Sequence, residues 1–167
     1  KGKITSLHFV DDGIGMDKPL LERCVIFSEG TNTAGTKKTG FYGMGLPNSS
    51  LSQCKKFSVI SKKPSQPKFS QITIDFDQMI LSGSTNVPSI TDADQTHLTL
   101  TQSTCNHSVS TIVVWENIDK LDAKKSSTLE DHYCKLIGKI HRYAIAQGAA
   151  FNFYTINDKN PPKLRKL

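Results

Sequence analysis

The first hydrophobic segment alternates. Ile4, Ser6 and His8 fall on one side of a period-two pattern, and Thr5, Leu7 and Phe9 on the other, before Val10 closes the run. That predicts a strand ending at Val10. Asp17 then precedes Leu20, Leu21, Cys24, Val25 and Phe27, the spacing of a short capped helix. Residues 28–39 have no periodicity and contain Gly30 and Gly35, so they read as a loop. A helix is expected from Leu46 to Cys54, with Pro47 in the first turn, where a missing N–H breaks no intrahelical bond.

Further strands are predicted at 57–61, 69–76, 97–101 and 111–116. Stretches 62–68 and 81–88 read as turns, and 92–95 and 102–110 as polar connections. Ser127-Thr128-Leu129-Glu130 has capping-box spacing and opens a long helix. Leu129, Tyr133, Leu136, Ile137, Ile140, Tyr143 and Ala144 form its apolar face; Glu130, Asp131, Lys135, Lys139 and Arg142 form the other. Gly148 is placed to end that helix, and 151–156 reads as a last strand. Runs of strands without helices between them imply an α+β fold: a two-layer sandwich of a mixed, mostly antiparallel sheet with helices on one face. One domain is expected over 1–157, with 158–167 a hairpin turn or the start of a following segment.

Composition changes this picture little. The chain has 167 residues, 37% hydrophobic, which suits one soluble domain. No apolar run approaches the roughly 20 residues that span a bilayer, and no signal-peptide pattern opens the chain, so a cytoplasmic protein with no membrane partner is expected. The net charge of +6 comes from small groups such as Lys37-Lys38, Lys55-Lys56, Lys62-Lys63 and Lys124-Lys125. These read first as solvated faces, and second as attraction for a polyanion, nucleotide or DNA. Cys24, Cys54, Cys105 and Cys134 form no C-x-x-C pair, so no zinc site is expected. The five histidines show no metal or triad spacing.

Two segments carry chemistry. In Val10-Asp11-Asp12-Gly13-Ile14-Gly15-Met16, a strand ends in a carboxylate and enters a turn with two closely spaced glycines. The carboxylate can accept from an amino group on a base, a charge-assisted bond worth about 1.5–3 kcal/mol; the plain alternative is an Asp-Gly turn. In Gly40-Phe41-Tyr42-Gly43-Met44-Gly45-Leu46-Pro47, glycines open a helix whose free N–H groups favour an anion. The spacing is neither the dinucleotide fingerprint nor the P-loop.

Together and in this order, the segments resemble the nucleotide-binding motifs of the GHKL ATPase superfamily of gyrase B, heat-shock-90-type chaperones, histidine kinases and MutL. The texture is closest to prokaryotic MORC-like and chaperone-like members. The resemblance implies a Bergerat-type ATP-binding fold in which Asp11 accepts from the adenine amino group. Gly13 and Gly15 would shape the pocket, with Met16 against the base. Residues 28–39 would be the ATP lid, with Lys37 and Lys38 on it. Gly40, Phe41, Tyr42, Gly43, Met44, Gly45 and Leu46 would hold the triphosphate. Thr111 matches the threonine of a Gly-Thr pair that supports the aspartate; Ser110 departs from its glycine.

The superfamily carries a Mg²⁺-holding Asn, and a water-activating Glu in hydrolytic members, on a helix preceding the first of these motifs. Here Asp11 is too close to Lys1 for that helix. The expectations are therefore an incomplete N-terminus and no catalytic residue in this chain. Negligible turnover is expected from these residues alone, and ATPase activity with Mg²⁺ in a longer protein. Homodimerisation on ATP binding follows from the resemblance. Alternatives are a histidine protein kinase, or a non-catalytic interaction module of the same shape that binds DNA through its lysines.

Overall fold

The segment read as a strand at 57–61 is the most deeply enclosed in the chain: Phe57, Val59 and Ile60 have almost no exposed surface. A strand buried on both faces belongs inside a sheet. The computed structural model describes residues 4–28, 42–105, 108–121, 125–157 and 160–167. Its elements are β1 (Ser6–Asp11), α1 (Lys18–Arg23), α2 (Gly45–Gln53), β2 (Cys54–Ser61), β3 (Ser70–Asp75), α3 (Phe76–Ser82), β4 (Thr91–Asp92), α4 (Gln95–Thr104), β5 (Thr111–Ile118), α5 (Ser126–Ile140), α6 (Arg142–Ala146), β6 (Asn152–Asn157) and β7 (Asn160–Lys166). The chain divides into a larger unit, Thr5–Lys120, and a smaller one built chiefly from Leu121–Leu167.

In the larger unit the strand order is β1-β5-β2-β3-β4, and every neighbouring pair is antiparallel. This is the α+β class expected from the pattern, but helices cover both faces of the sheet rather than the one face expected. Register then assigns the faces, because directly paired residues share a face and successive residues alternate. Phe9, Trp115, Phe57 and Val59 share one face; His8, Val10, Ile112, Val114 and Ile60 share the other. On the first face α2 is fixed by Trp115, whose Nε1 donates to Ser50 Oγ at 2.9 Å. On the second face Leu98 of α4 packs with Ile60, Ile112 and Val114.

Residues 97–101 are thus not the expected strand but part of α4, which covers the second face of the sheet. Asp94 caps it, its carboxylate accepting from Thr96 N–H at 2.7 Å. Leu98, Thr101 and Thr104, three residues apart, are the buried positions. The alternation of Thr and Leu over 97–101 favours a strand locally. Burying Leu98, worth about 1.5–3 kcal/mol, favours the helix. A similar change shortens the strand expected at 69–76. Asp75 caps α3 by accepting from Gln78 N–H, and Gly83 ends that helix at φ +62°, so Leu81 and Ser82 are helical rather than in a turn.

Under α4 lies a polar cluster that the sequence did not announce. His8 Nδ1 bonds Thr101 Oγ1 at 3.1 Å, and its Nε2 is buried without a hydrogen-bond partner. The His97 ring stands 5.2 Å away, His97 Nε2 is 3.6 Å from Glu116, and Lys56 pairs with Glu116 at 3.1 Å. Burial and the neighbouring His97 lower the His8 pKa to about 4. The folded state therefore binds fewer protons than the unfolded one between pH 4 and the ordinary 6.5. Stability is full above 6.5 and falls as pH drops toward 4, by at most about 3 kcal/mol. Denaturant midpoints across that window should fall for the native chain and fall less for His8→Asn; parallel slopes would remove His8 as the cause.

The smaller unit sets α5 beside the β6–β7 hairpin, with Leu129 and Cys134 its buried helix positions. Residues 160–166, within the stretch read as a turn or the start of a following segment, instead form β7, paired antiparallel with β6. Among the apolar-face residues, Leu136, Ile140 and Tyr143 are exposed. The expected capping box is not formed: α5 starts at Ser126 after Lys125, with no side-chain cap. Glu130 instead faces Thr155 Oγ1 at 3.4 Å and Arg165 at 3.6 Å. The hairpin offers that carboxylate a hydroxyl donor and a cation, which a capping box lacks. The helical face also breaks at His141, and Gly148, at φ +98°, follows α6.

Candidate functional site

β1 ends where its pairing with β5 ends, so Asp11 stands opposite Thr111 at one end of the sheet. Asp11 is exposed, and its carboxylate is held from one side only. Oδ1 accepts from Gly13 N–H at 2.9 Å and from the Ser110 hydroxyl at 3.3 Å. Ser110 also donates its N–H to the Asp11 carbonyl, and its one hydroxyl proton is shared between that carbonyl, at 3.1 Å, and Oδ1. Oδ2 has no hydrogen bond among the described residues. The result is a carboxylate with a fixed orientation and one oxygen open to a donor.

Of the two glycines after it, packing requires Gly15, whereas Gly13 leaves room for the carboxylate. A Cβ on Gly13 would lie 2.8 Å from Asp11 Oδ1 and push the carboxylate aside. Gly15 has φ +67°, and a Cβ there would lie 1.9 Å from the Lys62 carbonyl oxygen, inside the chain of the β2–β3 connection. The turn continues into Met16, whose N–H donates to Ser61 Oγ at 2.9 Å. Asp17 then caps α1 and forms an ion pair with Lys63; the Lys63 ammonium holds its carboxyl below the usual carboxylate range.

Thr111 is buried and joins this arrangement through Ser61: the two hydroxyl oxygens are 2.9 Å apart. Ser61 also donates to the Ser110 carbonyl at 3.0 Å. Sequence reasoning passed over Ser61, an ordinary residue at a strand end, and treated Ser110 only as a missing glycine. Its hydroxyl in fact bonds Asp11. No sequence signal marks Ser61, because its partners Met16, Ser110 and Thr111 meet only on pairing of β2 with β5.

The second glycine segment is described from Tyr42 onward; Lys37, Lys38, Gly40, Phe41 and all of the expected lid except Ser28 lie outside the described residues. Gly43 has φ +62°. Met44 is the N-cap of α2 and supplies no side-chain bond, and its first turn has no acidic residue. Gly45 meets nothing within 4 Å among the described residues. Two anchors orient α2: Asp119 and Lys120 donate backbone N–H groups to the Gln53 carbonyl, while Ser50 already lies at Trp115. Its C-terminus thus sits at the Ile118 end of β5, and its N-terminus, with Gly45 and Leu46, is directed toward the Thr111 end. That is the end where β1 delivers Asp11. Tyr42 and Met44 are exposed beside it.

Of the lysines behind the polyanion reading, Lys55, Lys56, Lys62 and Lys63 face partners within the chain. Lys56 pairs with Glu116, Lys63 with Asp17 and Lys55 with Asp77, and Lys62 lies 5.1 Å over the Phe69 ring. Among the described residues no three His, Cys, Asp or Glu side chains could hold a metal ion. No residue here is assigned to Mg²⁺. No described helix is long and apolar enough to cross a membrane.

Residues 1–128 match the family model described as Histidine kinase-, DNA gyrase B-, and HSP90-like ATPase. No individual curated protein matches the chain.

Proposed function

Because the chain belongs to the histidine kinase-, DNA gyrase B- and HSP90-like ATPase family, we propose that it binds ATP between the Asp11 turn and the start of α2. The observation that carries this reading is the Asp11 carboxylate, locked through Oδ1 and open at Oδ2. An acceptor held in that way suits the exocyclic amino group of adenine, a two-donor group. Met16 follows the turn and offers its thioether to the base. The uncapped N–H groups of Gly45 and Leu46 then take phosphate oxygens, aided by the helix dipole at about 0.3–1 kcal/mol. Lys37, Lys38, Gly40 and Phe41 belong to the phosphate side by motif alone.

Gly45 gives a clean test, since the described residues leave room for a side chain there. Gly45→Ala should fold at least as well as the native chain, because Ala is the better helix former by up to about 1 kcal/mol. Its affinity for ATP should nevertheless fall, since the added methyl group occupies phosphate space. Calorimetry with ADP and ATP decides it. An affinity equal to the native one would place the triphosphate elsewhere.

Hydrolysis is proposed for a longer protein that supplies the Asn and Glu of the family upstream. In that setting nucleotide would close residues 28–39, a lid by motif alone, and bring two copies together. Sedimentation of such a protein with and without a non-hydrolysable ATP analogue tests the second step. A monomer under both conditions would remove it.

A further inference from the structure

Ser61 has no exposed surface, yet it touches three segments of the site. Its hydroxyl accepts from Met16 N–H at 2.9 Å, lies 3.0 Å from the Ser110 carbonyl and lies 2.9 Å from Thr111 Oγ1. A hydroxyl has one proton to donate and two lone pairs. A carbonyl can only accept, so the Ser110 contact uses the Ser61 proton. If that proton went to Thr111 instead, Ser61 and Ser110 would face each other oxygen to oxygen at 3.0 Å with no proton between them. One arrangement satisfies all three contacts: Ser61 donates to Ser110, and Thr111 donates to Ser61.

The consequence falls on Thr111. Its only proton points inward to Ser61, and 7% of its surface remains open. Toward a ligand it can therefore only accept. Asp11, its partner across β1 and β5, is likewise an acceptor. We propose that Ser61 is the specificity-determining residue of this site: it turns the Thr111 proton away from the ligand, so that the polar floor formed with Asp11 accepts an amino-bearing base edge and rejects a carbonyl-bearing one. The inference rests on the ATP-binding reading above. It adds that discrimination between a 6-amino and a 6-oxo purine is set from behind the site, by a residue that does not touch the base.

The probes are ADP and IDP, which exchange the 6-amino group for a 6-oxo group and are not turned over. Calorimetry on the full chain should show ADP bound more tightly than IDP. In Ser61→Ala the Thr111 hydroxyl loses its acceptor and can donate to the 6-oxo group, so the ADP-to-IDP affinity ratio should fall about tenfold, the order of one net hydrogen bond. Ser61→Thr keeps the hydroxyl and should restore most of the ratio. A merely structural role for Ser61 would weaken both nucleotides equally and leave the ratio in place. Ser61→Ala also strips Met16 N–H of its acceptor and can fail to fold. Thr111→Val covers that case, since it keeps the Met16 and Ser110 bonds while removing the acceptor, and it should lower the ratio as well. A ratio within twofold of native in folded Ser61→Ala or in Thr111→Val overturns this inference and leaves ATP binding standing. A native chain that binds neither nucleotide overturns the ATP-binding reading itself.

Discussion

Gly15→Ala is expected to destabilise the larger unit by about 2–5 kcal/mol. Two independent terms sum to that figure. A residue with a Cβ costs about 1–2 kcal/mol in the left-handed region that Gly15 occupies at φ +67°. The new methyl group would also lie 1.9 Å from the Lys62 carbonyl oxygen. That neighbour is backbone and cannot swing aside, so the turn or the β2–β3 connection must shift, at about 1–3 kcal/mol. The shift pulls Met16 N–H from Ser61 and moves the floor beside Asp11. ATP affinity should therefore fall together with stability. Urea denaturation of Gly15→Ala beside Gly45→Ala separates the cases, because both add one methyl group and among the described residues only the first meets the chain. Equal midpoints for the two variants would mean that the close approach at Lys62 does not exist.

Asp11→Asn should abolish most nucleotide binding with little change in stability. The amide can keep its oxygen on Gly13 N–H and Ser110, as Oδ1 does now. That choice places the NH₂ group at the present Oδ2 position. The open corner then changes from acceptor to donor and faces the two donors of the adenine amino group. Losing a charge-assisted bond of about 1.5–3 kcal/mol corresponds to roughly a 10- to 150-fold weaker affinity. The mismatch should also favour a 6-oxo purine, so IDP should lose less than ADP. Calorimetry on the folded variant gives both numbers. Unchanged ADP affinity would show that Asp11 does not meet the base.

Both predictions concern residues visible in the sequence, and the reasons they matter were legible only in part. The pattern of Asp11, Gly13 and Gly15 suggested a turn that lets something approach closely. For Gly15 that something is the chain itself, at Lys62; for Gly13 it is the Asp11 carboxylate. Gly45 is the converse case, a glycine with no described protein neighbour, whose sequence reading as ligand clearance still stands as a proposal. His8 looked like an ordinary strand residue, yet α4 encloses it beside His97 and Glu116.

What the sequence alone determined is whatever depends on near neighbours along the chain: the cap at Asp17, the alternation of β1, the core run of β2, and the glycines of both motifs. Steric limits on φ, capping and periodicity act within a few residues, so they are written locally. Tertiary structure alone decided that 95–104 is a helix, because Leu98 gains more by burial on the sheet than its neighbours gain as a strand. It alone brought Ser61, Ser110 and Thr111 around Asp11. Those contacts join residues far apart in the chain through strand register, and register is settled only when the whole sheet pairs.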